Sequence, residues 1–303
     1  MNKIVKLFLT FALCATALSA SKQDVNWWKE KLKNDDLRYG YYDMPELIIA
    51  VSKLKRKLDL YEYDHGELKE QFDSSVMVGK NGQKLIEGDL KTPVGVYELT
   101  ARFKPKDSYL GPLAFSLSYP NLLDKIQGRK GSGIWIHGYP LNGGRTDDNT
   151  RGCIVLKNDL LLDFDTRIDH IRALAVVSED GYTHGTLEEI SSILAALYQW
   201  QNAWIQSDIK WYLSFYDESF RRYDGMKFDE FSAYKNRIFA KKEKKRINFS
   251  KLSLTPYPDI GQGRIYRLAF YENYKAKSHK FEGDKVLFIR INDKGEPKII
   301  LEK

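Results

Sequence analysis

The feature that most constrains the fold of this 303-residue chain is a change of hydrophobic pattern near Gly185. Before it, short apolar runs that predict strands, such as Leu47–Val51 and Leu174–Val177, are separated by Gly, Asn and Pro, which is typical of a β-rich domain. After it, a capping box begins at Thr186, apolar residues recur at helical spacing, and strand signals return toward the C-terminus. The sequence therefore predicts an α+β protein of two domains, a β-rich domain over 46–182 and an α+β domain over 183–303.

The N-terminus has the pattern of a secretory signal peptide, predicted over residues 1–20. Lys3 and Lys6 precede an apolar run over 7–18, and small residues follow up to Ala20. The alternative, an uncleaved anchor helix, is disfavoured because the run is shorter than the ~20 residues that a spanning helix needs. We therefore expect export to the periplasm and no stable membrane insertion once the signal is removed.

Cysteine usage narrows the class of protein further. The chain has two cysteines, Cys14 and Cys153, too few for a disulfide scaffold, a Cys-rich zinc module or a Cys-ligated iron–sulfur protein. Signal cleavage removes Cys14, so the mature chain keeps Cys153. A single thiol in an oxidising compartment is either buried and inert or a catalytic nucleophile, and the count alone leaves both open.

Charge and metal motifs point away from two other classes of function. The net charge is +7 before signal cleavage. A basic run over 241–246 is predicted to be a solvated helix end. Together with export, this favours weak attraction to an anionic cell wall and argues against a nucleic-acid partner. The sequence has no H-E-x-x-H motif and no cysteine cluster, so we expect no metal site and no cofactor.

Residues 21–45 are charged and aromatic with weak periodicity. We predict a short helix around Asp24–Leu32 followed by a linker. The Trp27-Trp28 pair is open to packing on the neighbouring domain or on a partner chain, so a homodimer is one expectation.

The residues that carry chemistry lie between His137 and Cys153. His137 ends a predicted strand, and Cys153 follows 16 residues later, directly after Gly152. A cysteine nucleophile needs a nearby base and backbone N–H groups directed at the developing oxyanion. A histidine at a strand end, brought back by a loop to a Gly-Cys turn, is able to supply both.

This segment resembles the L,D-transpeptidase (YkuD-like) catalytic domain. That family has a His-Gly pair, a loop of about a dozen residues, and then Ser/Thr-His-Gly-Cys; the sequence has the corresponding His137-Gly138 and Thr150-Arg151-Gly152-Cys153. An upstream element, Gly88-Asp89-Leu90-Lys91-Thr92-Pro93-Val94-Gly95, is similar to the family's G-D-x-x-T-P-x-G. After Cys153, Leu156-Lys157-Asn158-Asp159 resembles the tail of the family motif. The resemblance covers roughly residues 46–180.

The resemblance implies a role for each matched residue. Cys153 would attack the carbonyl of an L,D peptide bond in a peptidoglycan stem peptide. His137 would act as base, with its tautomer held by the backbone carbonyl of Gly138. The N–H groups of Gly152 and Cys153 would form the oxyanion hole of a thioester-forming reaction.

One position departs from the family pattern. The family's second histidine is Arg151 here, which would either grip a substrate carboxylate or brace the loop. Thr150 is expected beside it in the substrate site. Tyr139 and Trp135 would line the same pocket, or pack in the core.

After Gly185 the order is helices and then strands, with the stretches Phe270-Tyr271-Glu272-Asn273-Tyr274 and Phe281-Glu282-Gly283-Asp284-Lys285-Val286-Leu287. In these features the second domain resembles the cone-shaped nuclear-transport-factor-two fold (NTF2-like). The two domains in this order are similar to the cell-shape L,D-carboxypeptidases of helical Gram-negative bacteria, which implies removal of the terminal D-alanine from tetrapeptide stems. Two alternatives remain open. One is an L,D-transpeptidase that passes the thioester to an amine and forms cross-links; the other is a non-catalytic scaffold that binds the cell wall.

Overall fold

The computed structural model describes residues 21–143, 148–180, 184–258, 261 and 263–303. The predicted signal peptide and the predicted domain boundary at 182–183 lie outside these residues. Within the described part of the chain, no helix is both long and apolar enough to span a membrane.

The described chain begins with helix α1 and strand β1, and the first domain follows as one eight-stranded sheet with two helices. Its strand order is β4-β3-β2-β9-β5-β6-β7-β8. The bounds are α1 (Val25–Leu32), β1 (Tyr41–Tyr42), β2 (Glu46–Ser52), β3 (Lys57–Asp64), β4 (Glu67–Ser75), β5 (Gly95–Phe103), β6 (Ala114–Leu117), α2 (Leu122–Ile126), β7 (Trp135–His137), β8 (Ile154–Val155), α3 (Asn158–Arg167) and β9 (Ala173–Ser178).

Burial explains which of these strands were predicted from the sequence. Strands β2 and β9 are parallel neighbours at the centre of the sheet, and their continuous apolar runs are buried on both faces. Strand β4 is mostly polar because it forms the edge of the sheet, where Phe72 is its buried apolar residue. A strand prediction based on apolar runs therefore misses β4.

The second domain packs three helices against a six-stranded sheet, as the change of pattern near Gly185 predicts. The strand order is β1-β11-β12-β13-β14-β10. The bounds are α4 (Leu187–Gln206), α5 (Ile209–Ser214), β10 (Tyr216–Arg222), α6 (Phe228–Phe239), β11 (Arg246–Pro256), β12 (Ile265–Lys275), β13 (Lys280–Ile291) and β14 (Pro297–Glu302).

The N-terminal segment corrects one expectation. The predicted helix is present as α1, capped by the Asp24 side chain, but the expected linker contains β1, which pairs antiparallel with β11. Trp28 is 1% exposed and stacks on Tyr198 of α4, with a ring separation of 6.0 Å. Trp28 is thus buried in the core of the second domain, and its side chain does not form a surface for a partner chain.

The two domains share a hydrophobic interface. Ile48, Val96 and Val176 of the first sheet belong to the same buried cluster as Ile265 and Phe288 of the second. An ion pair joins Glu98 of β5 to Arg267 of β12, and the Asn121 amide donates to the hydroxyl of Tyr257 at 2.8 Å. Apolar and polar contacts together fix the catalytic sheet against the second domain.

Candidate active site

The strand register places His137 and Cys153 on or beside neighbouring strands at the edge of the first sheet. Strands β7 and β8 are parallel neighbours, with Ile136 opposite Ile154 and His137 opposite Val155. Cys153 directly precedes β8, two residues before Val155. The 16-residue separation in sequence therefore becomes a position on adjacent strands.

The imidazole of His137 is held by the backbone carbonyl of the next residue, Gly138. The side chain is 3% exposed, and Nδ1 lies 2.8 Å from the carbonyl oxygen of Gly138. A carbonyl oxygen only accepts hydrogen bonds, so Nδ1 carries the proton in this contact. In the neutral ring, Nε2 is then the nitrogen that accepts a proton, which is the tautomer a general base needs.

Cys153 has the partial exposure expected of a nucleophile. Its burial is intermediate, and Sγ lies 3.5 Å from the carbonyl oxygen of Gly133, within the range of an S–H donor. An inert structural cysteine is normally fully buried. The environment of Cys153 therefore favours the nucleophile over the inert thiol.

A threonine hydroxyl fixes the turn that carries Cys153. The hydroxyl of Thr150 donates to the carbonyl oxygen of Cys153 at 2.6 Å and accepts from the N–H of Gly152 at 3.0 Å. Thr150 is itself anchored, because its N–H donates to the carbonyl oxygen of Val78 at 2.9 Å. Thr150 is 3% exposed, so its hydroxyl acts within the loop and not at the surface expected of a substrate contact.

One of these bonds bears on the predicted oxyanion hole. The N–H of Gly152 was expected to face the substrate as half of an oxyanion hole, but it donates to Thr150. The N–H of Cys153 is the other predicted oxyanion donor. A glycine is nevertheless required at 152, because φ is +122° and an added Cβ would lie 2.9 Å from the carbonyl oxygen of Lys91.

A partly buried carboxylate, that of Asp89, holds the backbone near Lys91, which packs against Gly152. Asp89 pairs with Lys84 at 2.7 Å and accepts from the backbone N–H groups of Leu85, Ile86 and Lys91. Burial opposes ionisation of Asp89, but the Lys84 ammonium and these N–H groups outweigh it and lower the pKa to about 2. Asp89 stays ionised at neutral pH and holds the backbone on which the Cys153 turn rests.

Asn158 is a site residue whose role the sequence did not reveal. Its Oδ1 accepts from the N–H of Tyr139 at 2.8 Å, and a Cβ added to Gly138 would lie 2.3 Å from the same oxygen. Asn158 thus packs directly against the peptide whose carbonyl holds His137. The sequence signal was its place in the Leu-Lys-Asn-Asp stretch after Cys153, which resembled the tail of the family motif.

The remaining predicted residues lie around this centre. Arg151 is exposed beside Cys153. Trp135 is half-buried and packs edge-on against Phe103, with a ring separation of 5.1 Å, so its ring serves the core at least in part. Tyr139 is half-buried. Across the described ranges, no group of three or more His, Cys, Asp or Glu side chains is arranged to hold a metal ion.

A large cavity lies elsewhere, in the second domain. It has a volume of about 610 Å³ and is lined by aromatic and charged side chains. Burial lowers the pKa of Lys235 to about 8, and its ammonium lies 4.7 Å from the ring centre of Trp204. Lys285 pairs with Glu302 at 2.5 Å; burial opposes its charge, but Glu302 and Glu272 raise its pKa.

Comparisons with known proteins agree with this geometry. The model of the L,D-transpeptidase catalytic domain, YkuD, matches residues 46–181, and that of the Cds6 C-terminal NTF2-like domain matches 192–303. The crystal structure of Pgp2, a helical cell shape determining protein from Campylobacter jejuni, is 42% identical over 93% of this chain and 100% of that chain, with a TM-score of 0.88. The chain belongs to the YkuD family.

Two further relatives show how far the similarity extends. Bd1075 of Bdellovibrio bacteriovorus is 25% identical over 89% of this chain and 97% of that chain, with a TM-score of 0.69. YafK of Escherichia coli strain K12, named as an L,D-transpeptidase, is 34% identical over 94 residues. That match spans 30% of this chain and 37% of YafK. The YkuD domain followed by an NTF2-like domain confirms the predicted fold class and family.

Proposed function

We propose that this protein is a peptidoglycan L,D-carboxypeptidase that removes the terminal D-alanine from tetrapeptide stems, with Cys153 as nucleophile and His137 as base. The observation that carries the proposal is the 2.8 Å contact between His137 Nδ1 and the Gly138 carbonyl oxygen, next to the half-exposed Cys153. It provides the basic nitrogen with no need for a triad carboxylate.

The reaction follows from these groups. His137 Nε2 takes the thiol proton, and Cys153 Sγ attacks the carbonyl carbon of the third stem residue. The tetrahedral oxyanion accepts a hydrogen bond from the N–H of Cys153. Collapse breaks the C–N bond, and the leaving D-alanine amine takes the proton back from His137. Water, activated by the same histidine, then hydrolyses the thioester, giving a tripeptide stem and restoring the thiol.

Arg151 supports the choice of a tetrapeptide stem as the substrate. It is exposed next to Cys153, where its guanidinium is able to hold the free carboxylate of a terminal D-alanine through two parallel hydrogen bonds. A substrate chosen by its terminal carboxylate ends at the scissile residue, as a tetrapeptide does. The rival reaction, L,D-transpeptidation, uses the same nucleophile and differs in passing the acyl group to an amine.

The similarity to Pgp2 supports a role in cell shape. Pgp2 is a helical cell shape determining protein, and the similarity spans both domains. Trimming of stem peptides changes which stems are available for cross-linking, so this enzyme would act on wall architecture. Action on the wall also requires a periplasmic location, consistent with the signal peptide predicted over 1–20.

A wall-binding role for the second domain is the alternative that a specific observation favours. The cavity of about 610 Å³ combines the Trp204 and Phe231 rings with the buried ammonium groups of Lys235 and Lys285. Sites that bind organic ligands commonly combine apolar walls with a few charged groups. Such a site would hold the wall while the first domain acts, or would be the sole function if the first domain were inactive.

Incubation of the chain from Ser21 onward with purified tetrapeptide muropeptides, followed by mass spectrometry, separates these functions. The proposal expects loss of one alanine and a tripeptide product. Formation of cross-linked dimers would instead indicate transpeptidation. Retention on sacculi without turnover would indicate a scaffold. Cys153→Ala is expected to abolish turnover while sacculus binding persists.

A further inference from the structure

We infer that Asn158 is a positioning residue that sets the protonation pattern of His137 by fixing the Gly138–Tyr139 peptide. The inference rests on the proposed function, because it assigns Asn158 a part in the action of the Cys153–His137 pair. The supporting contacts are the 2.8 Å bond from Tyr139 N–H to Asn158 Oδ1 and the 2.8 Å contact of His137 Nδ1 with Gly138 O.

These two contacts involve one peptide group. The carbonyl of Gly138 and the N–H of Tyr139 belong to the same planar unit and point in opposite directions. Fixing the N–H on one side therefore fixes the direction of the carbonyl on the other. Asn158 Oδ1 holds the N–H, so the Gly138 oxygen stays directed at the imidazole.

Close packing also couples Asn158 to Gly138. An ideal Cβ on Gly138 would lie 2.3 Å from Asn158 Oδ1 and 2.9 Å from Pro112 Cδ. The asparagine oxygen thus occupies the space that a side chain at 138 would need. Asn158 is itself set by α3, of which it is the first residue, and Leu161 and Phe164 anchor that helix in the core. A rigid helix thereby orients the loop that carries the proposed base.

The loss of this acceptor has a defined consequence. Without it, the peptide is free to rotate, and the imidazole loses the partner that keeps the proton on Nδ1. Nε2 is then no longer the fixed proton acceptor for the thiol. Proton transfer from the Cys153 thiol to His137 would be less favourable, so less thiolate would form at neutral pH.

The test is the pH dependence of Cys153 alkylation by iodoacetamide, which needs no peptidoglycan. Cys153 is the single cysteine of the chain from Ser21 onward, so the rate reports on that thiol. Asn158→Ala is expected to slow alkylation at neutral pH by about tenfold, the effect of one lost hydrogen bond. In turnover, kcat falls by a similar factor with little change in KM.

Conservative and control variants separate positioning from simple destabilisation. Asn158→Asp keeps an oxygen acceptor and a favourable charge at the first turn of α3, so it restores most of the alkylation rate. Asn158→Leu keeps the branching at Cγ without the acceptor and behaves like Asn158→Ala, which covers a failure of the alanine variant to fold. Asn236→Ala, on an exposed part of α6, alkylates like the wild type.

Two results would overturn the inference by different routes. If His137→Ala slows alkylation but folded Asn158→Ala and Asn158→Leu match the wild type, Asn158 does not position the base, and the proposed function stands. If His137→Ala leaves the alkylation profile unchanged, the proposed Cys153–His137 pair itself fails, and the role of Asn158 fails with it.

Discussion

The hydroxyl of Thr150 donates a 2.6 Å hydrogen bond to the carbonyl oxygen of Cys153 while accepting the N–H of Gly152. One buried side chain thus closes the turn that presents the nucleophile. Thr150→Val keeps the shape of the side chain but leaves both backbone groups unsatisfied. We expect it to lower the free energy of unfolding by about 1–3 kcal/mol and to reduce kcat. Urea denaturation and muropeptide turnover measure the two effects.

Thr150→Ser is the matched control for this change, because it restores the hydroxyl and removes a methyl group. It should recover most of the turnover that Thr150→Val loses. Equal turnover in the valine variant and the wild type would show that the bridge does not orient Cys153.

Gly152 is predicted to tolerate no side chain. Its φ of +122° is strained for any L residue, and an added Cβ would contact the Lys91 carbonyl oxygen at 2.9 Å and Ile134 at 3.1 Å. Backbone strain of this kind costs about 1–3 kcal/mol, and the contact adds to it. We expect Gly152→Ala to destabilise the protein and to displace Cys153, with near-complete loss of turnover. Thermal unfolding and turnover measure this.

Gly128→Ala isolates the contribution of the close contact. Gly128 also has a positive φ, +72°, but an added Cβ would meet no atom within 4 Å. Its substitution should cost backbone strain alone and leave turnover intact. If both variants lose the same stability and activity, the packing of Gly152 against Lys91 is not what demands glycine.

Asp89 should make stability depend on pH in the acid range. Its pKa falls to about 2 in the folded protein because the Lys84 ammonium and three N–H groups outweigh the effect of burial. The stabilisation is therefore complete above the pKa of Asp89 in the unfolded chain, about 3.9, and disappears as the pH falls through about 2. Asp89→Asn should be less stable than the wild type at neutral pH, with the gap closing toward about pH 2.

Urea denaturation across this pH range measures that gap. Asp163→Asn is the matched control, because Asp163 forms an exposed pair with Arg167 at one turn's spacing on α3, and such pairs contribute little. A gap between wild type and Asp89→Asn that is constant down to about pH 2 would contradict the assignment.

Arg151 should determine preference for a free terminal carboxylate. Arg151→Gln is expected to lower kcat/KM for the tetrapeptide about tenfold or more, the scale of a lost charged hydrogen bond, with a smaller effect on the same peptide ending in an amide. Arg151→Lys keeps the charge without the two-pronged geometry and should recover part of the loss. Equal losses on acid and amide would instead assign Arg151 to bracing the loop.

The sequence predicted the fold where hydrophobic pattern and burial coincide. Strands β2 and β9 and helix α4 are apolar because they are buried, and each was found. Strand β4 was missed because an edge strand with an exposed face has a polar sequence. The linker after α1 was wrong because β1 has two residues, Tyr41 and Tyr42, and joins the second sheet through partners more than 200 positions away.

At the site, the sequence indicated candidate residues but not the direction of their hydrogen bonds. The spacing of His137 and Cys153 indicated their pairing, and the contact of His137 with the Gly138 carbonyl was expected from the family. The N–H of Gly152 was expected to serve the substrate, because sequence does not show that the Thr150 hydroxyl turns inward to accept it. Asn158 was overlooked for the same reason, since its part is a contact with the backbone.

The most direct test of the central claim is to trap the acyl-enzyme. Wild-type protein, mixed with tetrapeptide muropeptide and quenched in acid, should carry the tripeptide stem as a thioester, and peptide mapping should place it on Cys153. His137→Ala should form this adduct far more slowly. Continued release of D-alanine by Cys153→Ala, or an adduct on another residue, would contradict the account.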